Sequence, residues 1–246
     1  MSAWLWRPVN FVQGIYTALW SALWISIALA VSLLSRSPRA SLWLARRVWA
    51  PGLLAGAGAR LAVSGRDHLA GLDGFLVVAN HSSWIDIPAL FAALPLPLRF
   101  VAKQELARVP FLGWYIGAMG MVFVDRADRK RALASVDRAT ELLAAGAALV
   151  SFPEGTRSRD GAMRGFKTAG FAAPIEAQVP VVPVAIAGAG RVLPPQGFAV
   201  RPGRIRVAVG EPLATVGLTA ADRAGLARET ESRVRALLLE LAAGAP

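Results

Sequence analysis

The sequence predicts an α/β fold: a mixed β-sheet flanked by helices, preceded by an N-terminal two-helix membrane anchor. Three observations carry that expectation. From Leu61 onward short apolar runs alternate with longer segments of helical periodicity, as an α/β domain requires. Ahead of them, Pro8 to Ser35 is a run of 28 residues without a charge. The composition, 55% hydrophobic over 246 residues, supplies enough apolar material for one large core and an apolar appendage.

As a helix the uncharged run would extend about 42 Å, longer than the roughly 30 Å hydrocarbon core of a bilayer. Its length and its tryptophans, Trp20 and Trp24, separate it from a signal peptide, whose apolar region is normally about 7–15 residues and ends in a small-residue cleavage site. Arg36-Ser-Pro-Arg39 interrupts it. The next stretch, Ser41 to Trp49, mixes Leu42, Trp43, Leu44, Val48 and Trp49 with Arg46 and Arg47, which suits a helix lying at a membrane interface, where tryptophan is enriched. Residues 1–60 are therefore expected to form the anchor, spanning the bilayer or seated in one leaflet, and residues 61–246 the α/β domain. Arginines clustered after the first helix favour a domain on the cytoplasmic face, at the inner membrane if the chain is bacterial.

Within the domain, strands are expected at 61–64, 75–79, 100–102, 121–124, 148–152, 181–186 and 205–209. Helices are expected at 85–93, 103–107, 111–117, 128–145, 166–177 and 220–242. The last begins with Thr219-Ala-Ala-Asp222, a capping sequence, and continues with Leu226, Val234, Leu237 and Leu238 at helical spacing.

The formal charge of +11 suits either anionic lipid surfaces or nucleic acid. The chain has no nucleic-acid motif and its aromatic residues concentrate in the anchor, so membrane lipids are the expected partner and nucleic acid is not. With no cysteine, disulfides, cysteine nucleophiles and thiolate metal sites are excluded. The two histidines, His68 and His81, stand far apart in the expected order of elements, which argues against a zinc site. Gly56-Ala-Gly58 and Gly188-Ala-Gly190 lack the third glycine of a dinucleotide fingerprint, and neither a Walker A sequence nor a Gly-x-Ser-x-Gly elbow is present.

Two stretches carry chemistry. Ala79 to Pro88 sets His81 five positions before Asp86, directly after an apolar run. Imidazole is the side chain whose unperturbed pKa lies nearest neutrality, and a carboxylate on its second nitrogen fixes the tautomer and stabilises the imidazolium, so the pair suits activation of a hydroxyl. Five residues at about 100° each would put the two side chains roughly 140° apart on one helix. His81 is thus expected in a turn and Asp86 on the helix that follows. Ser151 to Ser158 likewise follows an apolar run and places Glu154, Gly155 and Arg157 at a strand end, where arginine suits bidentate capture of a phosphate. Each stretch alone also fits a structural role, a hydrogen-bonded histidine or a capped turn with a surface ion pair. Lys103, Arg126 and Lys167 are further cations placed after apolar segments, and each alone also fits a solvated surface.

Four blocks in order resemble the glycerolipid acyltransferases, the family typified by 1-acylglycerol-3-phosphate acyltransferase. Asn80-His-Ser-Ser-Trp-Ile-Asp86 looks like its His-x4-Asp block. Lys103 through Leu106, Pro110, Gly113, Gly120 and Phe123 to Arg126 is similar to the second, Phe152-Pro-Glu-Gly-Thr-Arg157 to the third, and Val179-Pro-Val-Val-Pro183 to the fourth. The resemblance implies transfer of a fatty acyl group from acyl-CoA or acyl-carrier protein to the sn-2 hydroxyl of lysophosphatidic acid, forming phosphatidic acid, with no metal or redox cofactor. His81 is then the general base and Asp86 its partner. Arg126 and Arg157, with Lys103 and Lys167 as lesser candidates, are expected at the acceptor's phosphate. Glu154 would orient Arg157 or bind the glycerol portion, with Gly155 and Thr156 beside it. Ser82 and Ser83 are expected to satisfy the turn and not to act as nucleophiles. Another acceptor, a lyso-ornithine lipid or a different lysophospholipid, and a non-catalytic lipid-binding role are the alternatives.

Overall fold

The computed structural model of the chain describes residues 4, 6–125, 128–158 and 162–244. The uncharged run forms α1 (Trp6–Ser35). After the turn, Ser37 caps α2 (Pro38–Leu44) by accepting the Arg39 N–H, and Pro38 sits in the first turn, where its missing N–H leaves no gap. The helix then widens into a π-helical turn (Ala45–Trp49) and continues as α3 (Ala50–Gly56). This second rod lies against α1. Ser41 Oγ donates to the Ala28 carbonyl at 2.7 Å, Tyr16 OH to that of Gly52 at 3.0 Å, and Trp20 Nε1 to that of Trp49 at 3.1 Å. The approach is close enough that a Cβ on Gly52 would lie 2.2 Å from the Trp20 ring.

The remaining elements are β1 (Ala59–Ser64), β2 (Phe75–Ala79), α4 (Asp86–Ala93), β3 (Arg99–Lys103), α5 (Leu112–Ala118), β4 (Val122–Val124), α6 (Arg129–Ala144), β5 (Ala148–Ser151), α7 (Ala172–Glu176), β6 (Val181–Ala187), α8 (Ala189–Val192), β7 (Gly203–Val209) and α9 (Arg223–Ala243). The seven strands form one mixed sheet in the order β1-β7-β6-β2-β5-β3-β4. Only the β6–β7 pair is antiparallel, so β1 and β7 run opposite to the other five. Every residue of β2 and β5 is buried, which is why both read as unbroken apolar runs and not as an alternation.

Side chains of β2 divide between two cores. Phe75, Val77 and Ala79 join Ala89 and Leu90 of α4 together with Ile25, Ala28, Leu42, Ala50 and Leu54 of the helical hairpin. Leu76 and Val78 face the other way, onto Ala139 and Leu143 of α6, Ile175 of α7 and Leu226 of α9. The hairpin's inner side therefore shares a core with the sheet. Its outer side stays uncovered: Phe11 is 70% exposed, Leu19 67% and Leu34 84%. By length and composition α1 can cross a membrane.

All seven expected strands are present, with ends shifted by a residue or two. The helix expected at 103–107 is a tighter 3₁₀ turn (Gln104–Arg108), and the one expected at 166–177 divides into a 3₁₀ turn (Thr168–Phe171) and α7. The short α8 has no counterpart among the expected elements, because one turn cannot show a 3.6-residue period.

Candidate active site

The site lies where β2, β3 and β5, all parallel, run out of the sheet. Asn80, 6% exposed, fixes the exit of β2. Its Oδ1 accepts the Ile186 N–H at 2.8 Å and its Nδ2 donates to the Ile186 carbonyl at 3.0 Å, so the side chain imitates one more rung of strand pairing with β6. His81 follows in the turn, off the helix that begins with Asp86, as the spacing requires. Asp86 is fully buried. Its Oδ2 accepts three hydrogen bonds, from His81 Nδ1 at 2.9 Å, Ser82 N at 2.7 Å and Ser83 N at 2.8 Å. A carboxylate only accepts, so this pairing puts the imidazole proton on Nδ1 and leaves the lone pair on Nε2. The Ser83 hydroxyl donates to the Leu193 carbonyl at 2.6 Å and accepts from Ile85 N, a structural assignment that matches its expected part in the turn.

The second stretch reaches the same place from β5. Phe152 stacks on the His81 ring with centroids 4.1 Å apart and planes 15° from parallel. Ser158 N donates to the His81 carbonyl at 2.9 Å. Gly155 has φ +77°, the left-handed region that glycine enters without a Cβ clash. Arg157 donates from Nη1 to the Pro195 carbonyl at 2.8 Å and lies 4.4 Å from the centroid of the Trp84 ring, so its planar fork is held on both sides.

Between these groups and the helical hairpin lies a cavity of about 510 Å³. Its lining includes His81, Lys103, Ser151, Gly155, Thr156 and Arg157. The rest of the lining is mostly apolar and includes Ile25 of α1, Trp49, Phe91, Phe100, Tyr115 and Ile116. A site of this shape accepts a chain of methylenes and presents a base and fixed cations to its polar head.

Two expected contacts are not brought to the cavity. Glu154, expected to touch substrate or Arg157, is only 3% exposed, and its two oxygens accept backbone N–H groups: Oε1 that of His81 at 2.7 Å, Oε2 that of Arg164 at 2.9 Å. It clamps the His81 turn to the segment after β5 and does not line the cavity. Burial pushes its carboxyl above the ordinary glutamate range, and the two N–H bonds partly offset that rise. Lys167 is exposed outside the cavity, with its backbone N–H on the Pro153 carbonyl at 3.1 Å. Arg126 lies outside the described residues. Conversely, Asn80, Trp84 and Phe152 have structural parts that the motif reading did not assign; each stands within a quoted block, and an aromatic or amide beside a functional residue was the available signal. The Leu193 and Pro195 carbonyls, more than a hundred and about forty positions from their partners, left none.

Comparison with known proteins agrees with this arrangement. The chain is 28% identical to the crystal structure of PlsC, the 1-acyl-sn-glycerophosphate (LPA) acyltransferase of Thermotoga maritima, with a TM-score of 0.80 covering 95% of this chain and 96% of that one. A lyso-ornithine lipid O-acyltransferase of Pseudomonas aeruginosa is 34% identical over 242 residues, 90% of each chain. A 1-acyl-sn-glycerol-3-phosphate acyltransferase of Chlamydomonas reinhardtii is 38% identical over 152 residues, 61% of this chain. This chain covers only 46% of that algal relative, and 44% and 40% of similarly named chloroplast proteins. The family model described as Acyltransferase matches residues 60–187, from β1 to the end of β6 and through every block that builds the His81 site, and the chain belongs to that family.

Proposed function

We propose that the protein transfers a fatty acyl group from a thioester, acyl-CoA or acyl-carrier protein, to the sn-2 hydroxyl of lysophosphatidic acid. The observation that carries this reading is the His81–Asp86 pair, with His81 lining a largely apolar cavity that Arg157 and Lys103 also line. His81 Nε2 takes the proton of the acceptor hydroxyl as its oxygen attacks the thioester carbonyl. Asp86 stabilises the imidazolium, and the tetrahedral intermediate collapses by breaking the C–S bond. The thiolate leaves with the proton returned by His81, so no covalent acyl-enzyme forms and no step calls for a metal. Arg157 and Lys103 bind the acceptor's phosphate, with Arg126 a further candidate. Glu154 acts through His81 as a positioning residue.

Residues 1–60 serve as the membrane anchor and hold the site at the cytoplasmic face. Lysolipid and product then enter and leave laterally, without exposing their chains at about 0.8 kcal/mol for each CH₂.

One observation favours a second acceptor: the Pseudomonas lyso-ornithine lipid O-acyltransferase aligns along 90% of both chains. A thiol-release assay with purified protein in mixed micelles separates the two. With lysophosphatidic acid, wild type releases thiol and Arg157→Ala is slowed about 10²-fold, as loss of a bidentate charge-assisted contact implies. Turnover confined to a phosphate-free lyso-ornithine lipid, indifferent to Arg157, would replace the first reading by the second.

A further inference from the structure

We infer that Val109–Trp114, between β3 and β4, is a second membrane contact that enters the same leaflet as α1 and borders the entrance between them. This rests on the membrane reading of α1.

Trp114 is 65% exposed on α5, whose other face buries Gly113, Tyr115 and Ile116, and Val109 is 42% exposed at the preceding turn. An exposed indole suits the headgroup level of a bilayer, where its ring meets hydrocarbon and its N–H finds polar groups.

The segment is braced in this position. Leu112 N donates to the Pro110 carbonyl at 2.7 Å across Phe111, whose φ of +68° and ψ of −54° form a tight and strained γ-turn. Gly113 presses on the preceding 3₁₀ turn so closely that a Cβ there would lie 2.4 Å from the Ala107 carbonyl oxygen. Phe111 and Leu112 are thereby turned toward the core while Val109 and Trp114 stay outside.

Charge agrees. From Leu106 to Val124, 19 residues, the one charge is the exposed cation Arg108; the exposed Glu105 stands just before this stretch and Asp125 just after it. The long cationic stem of Arg108 can place its charge among lipid phosphates.

Continuity decides the partner. α5 packs beside α1, whose Val12, Ile15 and Leu19 are exposed. Thr17 and Ile25 of α1, Leu106 of the preceding 3₁₀ turn and Leu112 of this segment line the same cavity. A lipid surface touching both elements meets the cavity between them, and an acyl chain passes from bilayer to site without crossing water.

The chain has no cysteine, so single-cysteine variants Trp114→Cys, Leu19→Cys and Leu239→Cys can each carry one spin label. Leu239 is 71% exposed on α9, which covers the sheet face opposite the hairpin. With the full-length protein on vesicles of phosphatidylethanolamine and phosphatidylglycerol, labels at 114 and 19 should collide more with oxygen than with a water-soluble nickel chelate, and the label at 239 the reverse. A water-exposed label at 114 with a lipid-exposed label at 19 overturns this inference and leaves the anchor standing. Water exposure at both overturns the anchor as well. As a second measurement, Trp114→Glu should reduce vesicle binding about tenfold while Leu239→Glu leaves it unchanged; equal effects of the two would contradict the inference.

Discussion

The His81 turn and the outer face of α1 reverse the usual distribution of polar and apolar groups in opposite senses. At the turn, charged and polar side chains are buried: Asp86 is fully enclosed, Glu154 is 3% exposed and Asn80 6%. On α1, Phe11, Leu19 and Leu34 are left uncovered. Each reversal is stable only if something compensates. Inside, N–H groups do so: two backbone N–H groups and the His81 ring converge on one Asp86 oxygen, and one backbone N–H reaches each Glu154 oxygen. Outside, the proposed membrane would supply the compensation. The first region is therefore sensitive to loss of a single atom, and the second tolerates substitution until a membrane is present.

The largest effect expected from this contrast is at His81. His81→Ala should lower acyl transfer by about 10³–10⁴-fold, the scale of losing a positioned general base, while the circular dichroism spectrum and melting temperature stay near wild type. Asp86→Asn should reduce the rate by about 10³-fold and also destabilise, because its amide oxygen can keep the three bonds on one side while its NH₂ takes the buried place of the other carboxylate oxygen, which has no partner among the described residues; about 1–3 kcal/mol by urea unfolding is expected.

Glu154→Gln comes next, with activity down by about 10- to 100-fold, since an amide presents an N–H to one of two N–H groups that each need an acceptor. Its pH dependence has a definite sign. Burial raises the Glu154 carboxyl, so the folded chain holds that proton to higher pH than the unfolded chain does. Its contribution to stability is therefore greatest in acid and is lost as pH rises from the ordinary glutamate range through the raised value. The difference in unfolding midpoint between wild type and Glu154→Gln should shrink over that interval. Activity should behave oppositely: protonation converts one acceptor into a hydroxyl, loosens the clamp and lowers the rate on the acid side. An acid limb unchanged in Glu154→Gln would break this link.

The smallest effect belongs to the outer face. Leu19→Asn should change stability in detergent by no more than about 0.5 kcal/mol, as at an ordinary exposed site, yet weaken sedimentation with vesicles. A large loss of stability would mean that Leu19 is covered within the protein.

Legibility in the sequence follows the same division. The doubly buried strands announced themselves as apolar runs, and His81 was expected off the helix of Asp86 because five residues of helix cannot bring two side chains together. The site became less legible wherever a side chain meets backbone. The resemblance implies that Glu154 orients Arg157 or binds the glycerol portion. Its actual partners, the amides of His81 and Arg164, belong to residues that any sequence could supply with an N–H. The same holds for Arg157 on the Pro195 carbonyl and Asn80 on Ile186, contacts set by how strands are ordered and not by spacing. Lys167 stood in the right stretch, but its exposure depends on a turn with no periodic signal.

Hydroxyl activation without an acyl-enzyme is the central claim, and an acceptor that lacks the hydroxyl tests it most directly. Purified wild-type protein is given a radiolabelled acyl thioester with either lysophosphatidic acid or its 2-deoxy analogue, and thiol release and label on lipid and protein are measured together. The predicted result is one thiol released per labelled phosphatidic acid formed with the first acceptor, and neither thiol release nor labelled protein with the second. A stoichiometric burst of thiol with label retained on the protein in the presence of the 2-deoxy analogue would contradict the account.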